Sequence, residues 1–155
     1  TDIARTSAWT TATVARYNWT FYGGPEGHHR MRTESSERFT RDLLEHPERY
    51  VPGVLPALDF ADDEFDLVLS SHLLFTYADR LDFAFHLAAL TELTRVGRQV
   101  RVFPLVDQAG GDLSALVERL REALSGNGIR SEVRRVEFEF QLGADEMLVL
   151  DRPAF

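Results

Sequence analysis

The sequence predicts an α/β fold with a mostly parallel sheet that ends in an antiparallel strand pair. The apolar run at residues 65–69 follows an acidic turn and suits a strand buried on both faces, in the middle of a sheet. Segments with helical and strand-like patterns alternate after this run, as in parallel sheets with covering helices. The tail then changes to a period of two, which indicates antiparallel strands.

The composition limits the class of protein. A chain of 155 residues can form one domain with a buried core. Its net charge is −8 and its basic residues are dispersed, which disfavours nucleic acid as a partner. It has no cysteine, and no apolar run approaches the roughly 20 residues of a membrane span. We therefore expect a cytoplasmic protein that binds neither nucleic acid nor membrane.

Residues 1–49 are predicted to form a segment of helix and loop before an α/β portion at residues 50–155. The glycines and proline of residues 21–30 indicate a flexible connection, because neither a phosphate-binding nor a dinucleotide-binding glycine pattern is present. An imperfect helix near the start of the chain has four large apolar residues on one face: Ile3, Trp9, Val14 and Tyr17.

Two adjacent histidines, His28 and His29, lie in the predicted connection. Their side chains point in different directions on regular backbone and no third ligand follows at a metal-binding spacing, so we predict no metal site. The alternative to a featureless loop is a loop over the active site whose histidines contact the substrate. His46 and His86 are interpreted as structural or solvent-facing residues.

A helix is predicted at residues 35–45, where Phe39 and Leu43 recur at helical spacing and His46-Pro47 ends the pattern. Residues 50–51 are predicted to form a short strand. The central strand at residues 65–69 comes next.

Two helices with a strand between them are predicted after the central strand. The first helix is predicted to start at Asp79-Arg80-Leu81-Asp82, which offers an N-cap with an acid three residues on, and to end at Gly97; the strand is predicted at residues 99–103. The second helix is capped by Asp112 and ends at residues 125–128.

The tail is predicted to form an antiparallel pair. Val136, Phe138 and Phe140 alternate with charged residues, and a turn at residues 143–145 leads into the apolar run at residues 147–150.

Small polar residues stand at the carboxyl end of the predicted central strand, where Ser70, Ser71 and His72 follow the apolar run. Ligands of open α/β sheets bind outside the carboxyl ends of the strands. We therefore expect a cofactor or substrate to bind at these three residues.

Residues 59–66 read Asp-Phe-Ala-Asp-Asp-Glu-Phe-Asp and lead into a strand, a polar step and a leucine-rich turn. This stretch resembles the fourth-strand region of class I S-adenosylmethionine-dependent methyltransferases, which have a Rossmann-like sheet. The resemblance covers residues 50–152, and the family likewise ends in an antiparallel strand inserted beside the parallel ones. It implies methyl transfer from S-adenosylmethionine to a small-molecule acceptor, with residues 50–51 as the third strand.

The resemblance also implies roles for individual residues. His72 is the candidate catalytic base, and the alternative is a histidine at a helix start that is hydrogen-bonded to the backbone. Tyr77 would line the acceptor pocket, and the alternative is ordinary packing. Val54 stands where many family members have an aspartate that reaches the adenine, so adenine would depend on apolar contact and on backbone groups near Leu55. The implied cofactor contacts are Leu55, Ser70, Ser71 and His72.

Two elements of the family do not occur in these 155 residues: a first strand with its glycine-rich loop, and an acidic residue at the end of the second strand. We therefore predict a single, partial methyltransferase-like domain at residues 1–155 that lacks the first two strands and is inactive alone. The alternative is a non-catalytic interaction module derived from this fold, which closes its sheet by pairing with a second copy in a homodimer.

Overall fold

The computed structural model describes residues 14–152, which form two compact units. The first unit contains the described residues up to Pro52 together with Phe138–Leu142. The second unit contains Gly53–Glu137 and the described residues from Gly143 onward. The division after Pro52 lies close to the predicted start of the α/β portion at residue 50.

The predicted N-terminal helix falls partly beyond the described residues, since Ile3 and Trp9 lie outside them. Val14–Arg16 form a short 3-10 turn. Tyr17 then makes an isolated antiparallel bridge with Gln141.

The first unit is built on one long helix, α1 (Pro25–Glu45). The prediction of a flexible connection at residues 21–30 is therefore wrong in its second half, and the helix begins well before residue 35. Pro25 takes the first helical position, where its missing N–H group costs no hydrogen bond. Glu26 lies in the first turn, where the helix dipole favours a negative charge.

The segment after α1 forms no strand in the described structure. Pro47–Arg49 make a 3-10 turn that Tyr50 ends in extended conformation. The predicted strand at residues 50–51 is therefore wrong. The Tyr50 hydroxyl donates to the Asp42 carboxylate at 2.7 Å, so the aromatic residue that suggested a strand holds this segment against α1.

The second unit contains a four-stranded mixed sheet with the order β1-β2-β4-β3. Its strands are β1 (Phe65–Ser71), β2 (Gly97–Phe103), β3 (Arg130–Arg135) and β4 (Glu146–Asp151). β1 and β2 are parallel, and β4 is antiparallel to both β2 and β3. Three strands thus run in one direction, with β4 inserted between two of them in the opposite direction. The predicted α/β class is confirmed, and β4 includes the predicted strand at residues 147–150, but its antiparallel partner is not the predicted strand at residues 136–140.

β1 lies at one edge of this sheet, with β2 as its only strand neighbour in the described residues. The prediction of a central strand buried on both faces is therefore wrong here, because no strand pairs with its other side. Leu67 is 43% exposed and Leu69 is 69% exposed, whereas Val68 points to the opposite face and packs against the core. We call the unpaired edge of β1 together with Leu67 and Leu69 the open β1 surface.

Two helices, α2 (Phe83–Val96) and α3 (Ser114–Gly126), cover the face opposite Leu67 and Leu69. They contact each other as well as the strands, as expected when successive right-handed crossovers move in one direction along a sheet. Both predicted helices are confirmed. The helices and strands share one apolar core that includes Leu90, Leu93, Val100, Val102, Leu120, Leu124, Leu148 and Leu150. None of the described helices has the length and apolar character of a membrane span.

The closing strands differ in position from the prediction. β3 precedes residue 136, and Phe138–Leu142 belongs to the first unit. Phe138 and Phe140 both contact the ring of Tyr22, at centroid distances of 6.3 Å and 5.0 Å. The alternation of apolar and charged residues at residues 136–140 therefore does not mark a strand of the sheet. It places the rings of Phe138 and Phe140 against the ring of Tyr22.

Candidate functional site

Ser70, Ser71 and His72 lie together at and just beyond the carboxyl end of β1. The Ser71 hydroxyl oxygen is 2.7 Å from His72 Nδ1. The backbone N–H of His72 donates to the Phe103 carbonyl at 2.8 Å, which continues the pairing of β1 with β2 past the last strand residue. The imidazole is thereby held at the edge of the sheet where α/β proteins bind their ligands.

The backbone of His72 is strained, since its φ of 54° lies in the left-handed region that few residues other than glycine adopt. Such a conformation persists only where surrounding interactions impose it, and it is concentrated at functional sites. The hydrogen bond to Phe103 and the contact with Ser71 hold His72 in this conformation. His72 is therefore the strongest functional candidate on this edge.

The Ser70 hydroxyl is buried and has no hydrogen-bond partner among the described residues. The Thr76 hydroxyl, in the segment that leaves β1, has the same property. A buried hydroxyl without a partner costs about 1–3 kcal/mol. The two hydroxyls are close together in the chain. They indicate a place where a bound polar group or a water molecule would supply the missing hydrogen bonds.

Leu55 belongs to a separate segment of the second unit, and its side chain packs against the core. Val54 is 79% exposed and forms a small antiparallel bridge with Ala57. The Leu55 side chain is only partly buried, and contact of this segment with an adenine stays a prediction.

The acidic turn that carries the family resemblance is held in place by Arg95. Its guanidinium donates to the Phe60 carbonyl at 2.8 Å, the Leu58 carbonyl at 3.1 Å and the Asp62 carboxylate at 2.7 Å. It also pairs with both carboxylate oxygens of Glu92, each at 2.8 Å. These hydrogen bonds, with one from the Leu58 N–H, lower the pKa of Glu92 to about 2. The turn therefore has a structural role that requires no ligand.

Tyr77 lies in a 3-10 turn, Phe75–Tyr77, and is half-buried. The guanidinium carbon of Arg80 lies 5.7 Å from the centre of its ring, within the range of a cation–π contact. Its place in an acceptor pocket stays a prediction.

His28 and His29 lie in the first turns of α1, so the predicted loop over an active site is wrong as a description of their structure. His28 is only 5% exposed and stacks on Phe140, with 4.8 Å between ring centroids. The rings of Trp19 and Tyr22 contact it edge-to-face. Burial lowers the pKa of His28, and the charge of Arg32 lowers it further. The neutral ring therefore serves as an aromatic packing group, and contact of His29 with a substrate stays a prediction.

The remaining histidines have structural surroundings. Both ring nitrogens of the buried His86 face backbone carbonyls, that of Asp82 at 2.8 Å and that of Leu74 at 3.2 Å. His46 is near the surface, 3.5 Å from a Glu48 carboxylate oxygen. Within residues 14–152, no three histidine, aspartate or glutamate side chains come together as a metal site would require.

The sequence analysis missed a cavity of about 540 Å³ in the second unit. It lies at the same edge of the sheet, between the segment after β2, the beginning of α3, β3 and the first residue of β4. Its lining comes from four separate stretches, of which only Asp112, predicted as a helix cap, had a recognisable sequence signal; the N-cap position of α3 is in fact Leu113. The floor is apolar and the rim is acidic: Leu105, Val106 and Val117 form the floor, and Asp112, Glu118 and Glu146 the rim.

Comparison with known proteins leaves the family open. No protein-family model and no solved structure matches the chain. An uncharacterized protein of Methanocaldococcus jannaschii aligns with 136 residues, 88% of the chain, at 26% identity. The chain spans 59% of the length of that relative.

Proposed function

We propose that this chain is the C-terminal part of an S-adenosylmethionine-dependent methyltransferase of class I that acts on a small molecule. The observation that carries the proposal is the order and direction of the strands, with β4 inserted antiparallel between β2 and β3 beside the parallel pair. The resemblance implies this arrangement for the closing strands of the family. Because strand order was not part of the sequence pattern, the agreement supports the proposal independently.

The open β1 surface also supports the proposal. In the family, the first strand lies on the side of the sheet next to the fourth strand, which corresponds to β1. A strand in that place would satisfy the unpaired backbone groups of β1.

The carboxyl end of β1 fits the methionine part of the cofactor. It offers backbone groups at Ser70 and Ser71, the unpaired Ser70 hydroxyl and the imidazole of His72. The segment at Leu55 fits the adenine less specifically, because it offers only apolar contact and backbone groups. When bound, S-adenosylmethionine supplies an electrophilic methyl group.

His72 would take the proton that the acceptor loses. In the tautomer that donates from Nδ1 to the Ser71 oxygen, the lone pair that accepts a proton lies on Nε2. The strained backbone and the Ser71 contact fix the direction of the ring, which is the requirement for a positioned base. Alignment of the reactants accounts for most of the rate enhancement in such a transfer, so a single base is sufficient.

The proposal is tested by calorimetric titration of S-adenosylmethionine and S-adenosylhomocysteine into the 155-residue chain and into the complete gene product. We expect micromolar-range binding to a gene product that supplies the glycine-rich strand, and binding at least about tenfold weaker to the 155-residue chain. An absence of binding heat with both proteins would contradict the proposal.

Variants of the complete gene product test the site itself. Ser71→Ala and His72→Gly are expected to weaken S-adenosylhomocysteine binding roughly three- to tenfold, which corresponds to about one hydrogen bond. Glycine suits the left-handed backbone at position 72, so His72→Gly removes the ring without adding strain. His46→Ala, at an exposed histidine, is the matched control. Equal affinities in all variants would exclude this edge as the cofactor site.

A second candidate function is a non-catalytic module that pairs with another copy of itself. The observation that favours it is the open β1 surface, because an unpaired strand edge with exposed leucines is a template for further strand pairing. This candidate predicts a dimer with no affinity for S-adenosylhomocysteine.

A further inference from the structure

The acidic cavity in the second unit has the composition of a binding site for an organic cation. We propose that it binds a small molecule with an apolar body and a protonated amine. None of the residues implied as cofactor contacts lines it, so the inference goes beyond the proposed methyl transfer and does not depend on it.

The size and floor of the cavity suit the apolar body of such a ligand. A volume of about 540 Å³ lies within the range of small-molecule sites, roughly 300–1,000 Å³. Leu105, Val106 and Val117 are buried and form a rigid apolar surface, and Val133 of β3 completes one wall. An aromatic or branched aliphatic group placed there would lose contact with water.

The rim carries more negative charge than the structure neutralises. Glu118 is paired with Arg121 at 2.6 Å, but no ion-pair partner within residues 14–152 contacts Asp112 or Glu146. Arg135, which faces Glu146 in the β3–β4 register, is instead paired with Asp145 at 3.8 Å. Among the described residues, no lysine or arginine lines the cavity. Two carboxylates at its mouth therefore remain available to a cationic ligand.

The position of one carboxylate is fixed before any ligand binds. Asp112 accepts hydrogen bonds from the Ser114 N–H at 2.9 Å and from the Ser114 hydroxyl at 3.0 Å. These bonds lower the pKa of Asp112 and keep the group ionised at neutral pH. A preorganised anion above an apolar floor selects an ammonium group and repels carboxylates and phosphates.

Three probes of equal shape and different charge test the inference: 2-phenylethylamine, 2-phenylethanol and 3-phenylpropionate. Each is titrated into the isotope-labelled 155-residue chain without any cofactor, and binding is followed by amide chemical shifts. We expect the amine to shift the resonances of Gly110, Gly143 and Glu146 in a saturable manner. The alcohol should bind more weakly and the carboxylate not at all. An equal response to all three probes, or no response to the amine, would overturn the inference.

Three substitutions locate the site. Glu146→Gln and Asp112→Asn keep the size of each side chain, and each should weaken amine binding roughly three- to tenfold. Glu122→Gln, on α3 but outside the cavity lining, should have no effect. Val133→Phe should fill the cavity and abolish the shifts. If Val133→Phe does not fold, the comparison of Glu146→Gln with Glu122→Gln decides alone, and equal affinities would refute the site.

Because binding is measured without cofactor, this inference can fail while the titrations with S-adenosylhomocysteine succeed, and the reverse also holds. The two proposals are therefore distinguishable by experiment.

Discussion

At the scale of single residues, Arg95 and Glu92 have the most extensive set of hydrogen bonds around the acidic turn. Arg95 joins the end of α2 to two carbonyls and a carboxylate of the turn before β1. Glu92 aligns the guanidinium through two parallel bonds and accepts one more from the Leu58 N–H at 2.7 Å. The position of β1 relative to α2 depends on this pair.

The Glu92 carboxylate should make the stability of the protein sensitive to acid. Its pKa is about 2 in the folded chain and 4.5 without these contacts, so its contribution is complete above pH 4.5 and declines as the pH falls toward 2. We expect Glu92→Gln to be less stable than the parent protein at pH 7, with a difference that narrows between pH 4.5 and 2. Urea unfolding at several pH values measures this difference.

Glu34→Gln, at an exposed position of α1, is the control for a lost surface charge. If the Glu92→Gln and parent unfolding midpoints stay equally far apart from pH 7 to pH 2, the assigned role of Glu92 is wrong.

Single residues were predicted from sequence with uneven success. The step from Ser70 to His72 was recognisable because polar residues directly follow an apolar run. The hydrogen bonds between Arg95 and the acidic turn were not recognisable, since Arg95 and the turn meet only after α2 has formed. The missing partner of the Ser70 hydroxyl depends on packing around β1, which no local pattern encodes.

At the scale of elements, β1 shows how an apolar run can mislead. Phe65 to Leu69 has no alternation, which predicts burial on both faces, yet two of its leucines are exposed. The apolar run correctly indicates a strand, but in the described residues this strand lies at an edge of the sheet with a neighbour on one side only. The helices α2 and α3 were better predicted, because their apolar stripes are local features.

The open β1 surface should control self-association. Leu69→Lys places a charge on the exposed edge strand, which disfavours pairing between edges. We expect the substitution to shift a concentration-dependent dimer toward monomer in analytical ultracentrifugation, with a change in folding stability within about 0.5 kcal/mol.

Leu142→Lys, at an exposed leucine of the first unit, is the matched control. A parent protein that is monomeric at all concentrations would exclude the self-pairing function. A dimer that Leu69→Lys leaves intact would place its interface elsewhere.

At the scale of the whole molecule, the chain returns to its first unit after β3. Phe138–Leu142 belongs to that unit, where the Asn18 N–H donates to the Phe140 carbonyl at 2.7 Å. The Phe140 ring stacks on Tyr17 at 4.7 Å as well as on His28. This assignment could not be predicted from sequence, because the residues that meet lie at opposite ends of the described chain.

Phe140→Ala should loosen the first unit, because it removes a ring that contacts several others. We expect a loss of about 1–3 kcal/mol in local stability, the lower part of the range for truncated aromatic side chains because Phe140 is not fully buried. Faster hydrogen exchange at the amides of Asn18 and Leu142 measures the loss.

Phe39→Ala is the matched control, since Phe39 is 53% exposed and should have little effect on these amides. Unchanged exchange in Phe140→Ala would contradict the role of the ring cluster.

The inserted position of β4 has a consequence for biosynthesis. A ribosome releases β1, β2 and β3 before β4, but β3 reaches the sheet only through β4. A nascent chain that ends before Glu146 therefore leaves facing edges of β2 and β3 unpaired, although every helix of the second unit has already been synthesised. Such a chain exposes unpaired strand edges, which favour aggregation, until β4 has left the ribosome and paired with both strands. The second unit can therefore complete its sheet only after β4 has been synthesised.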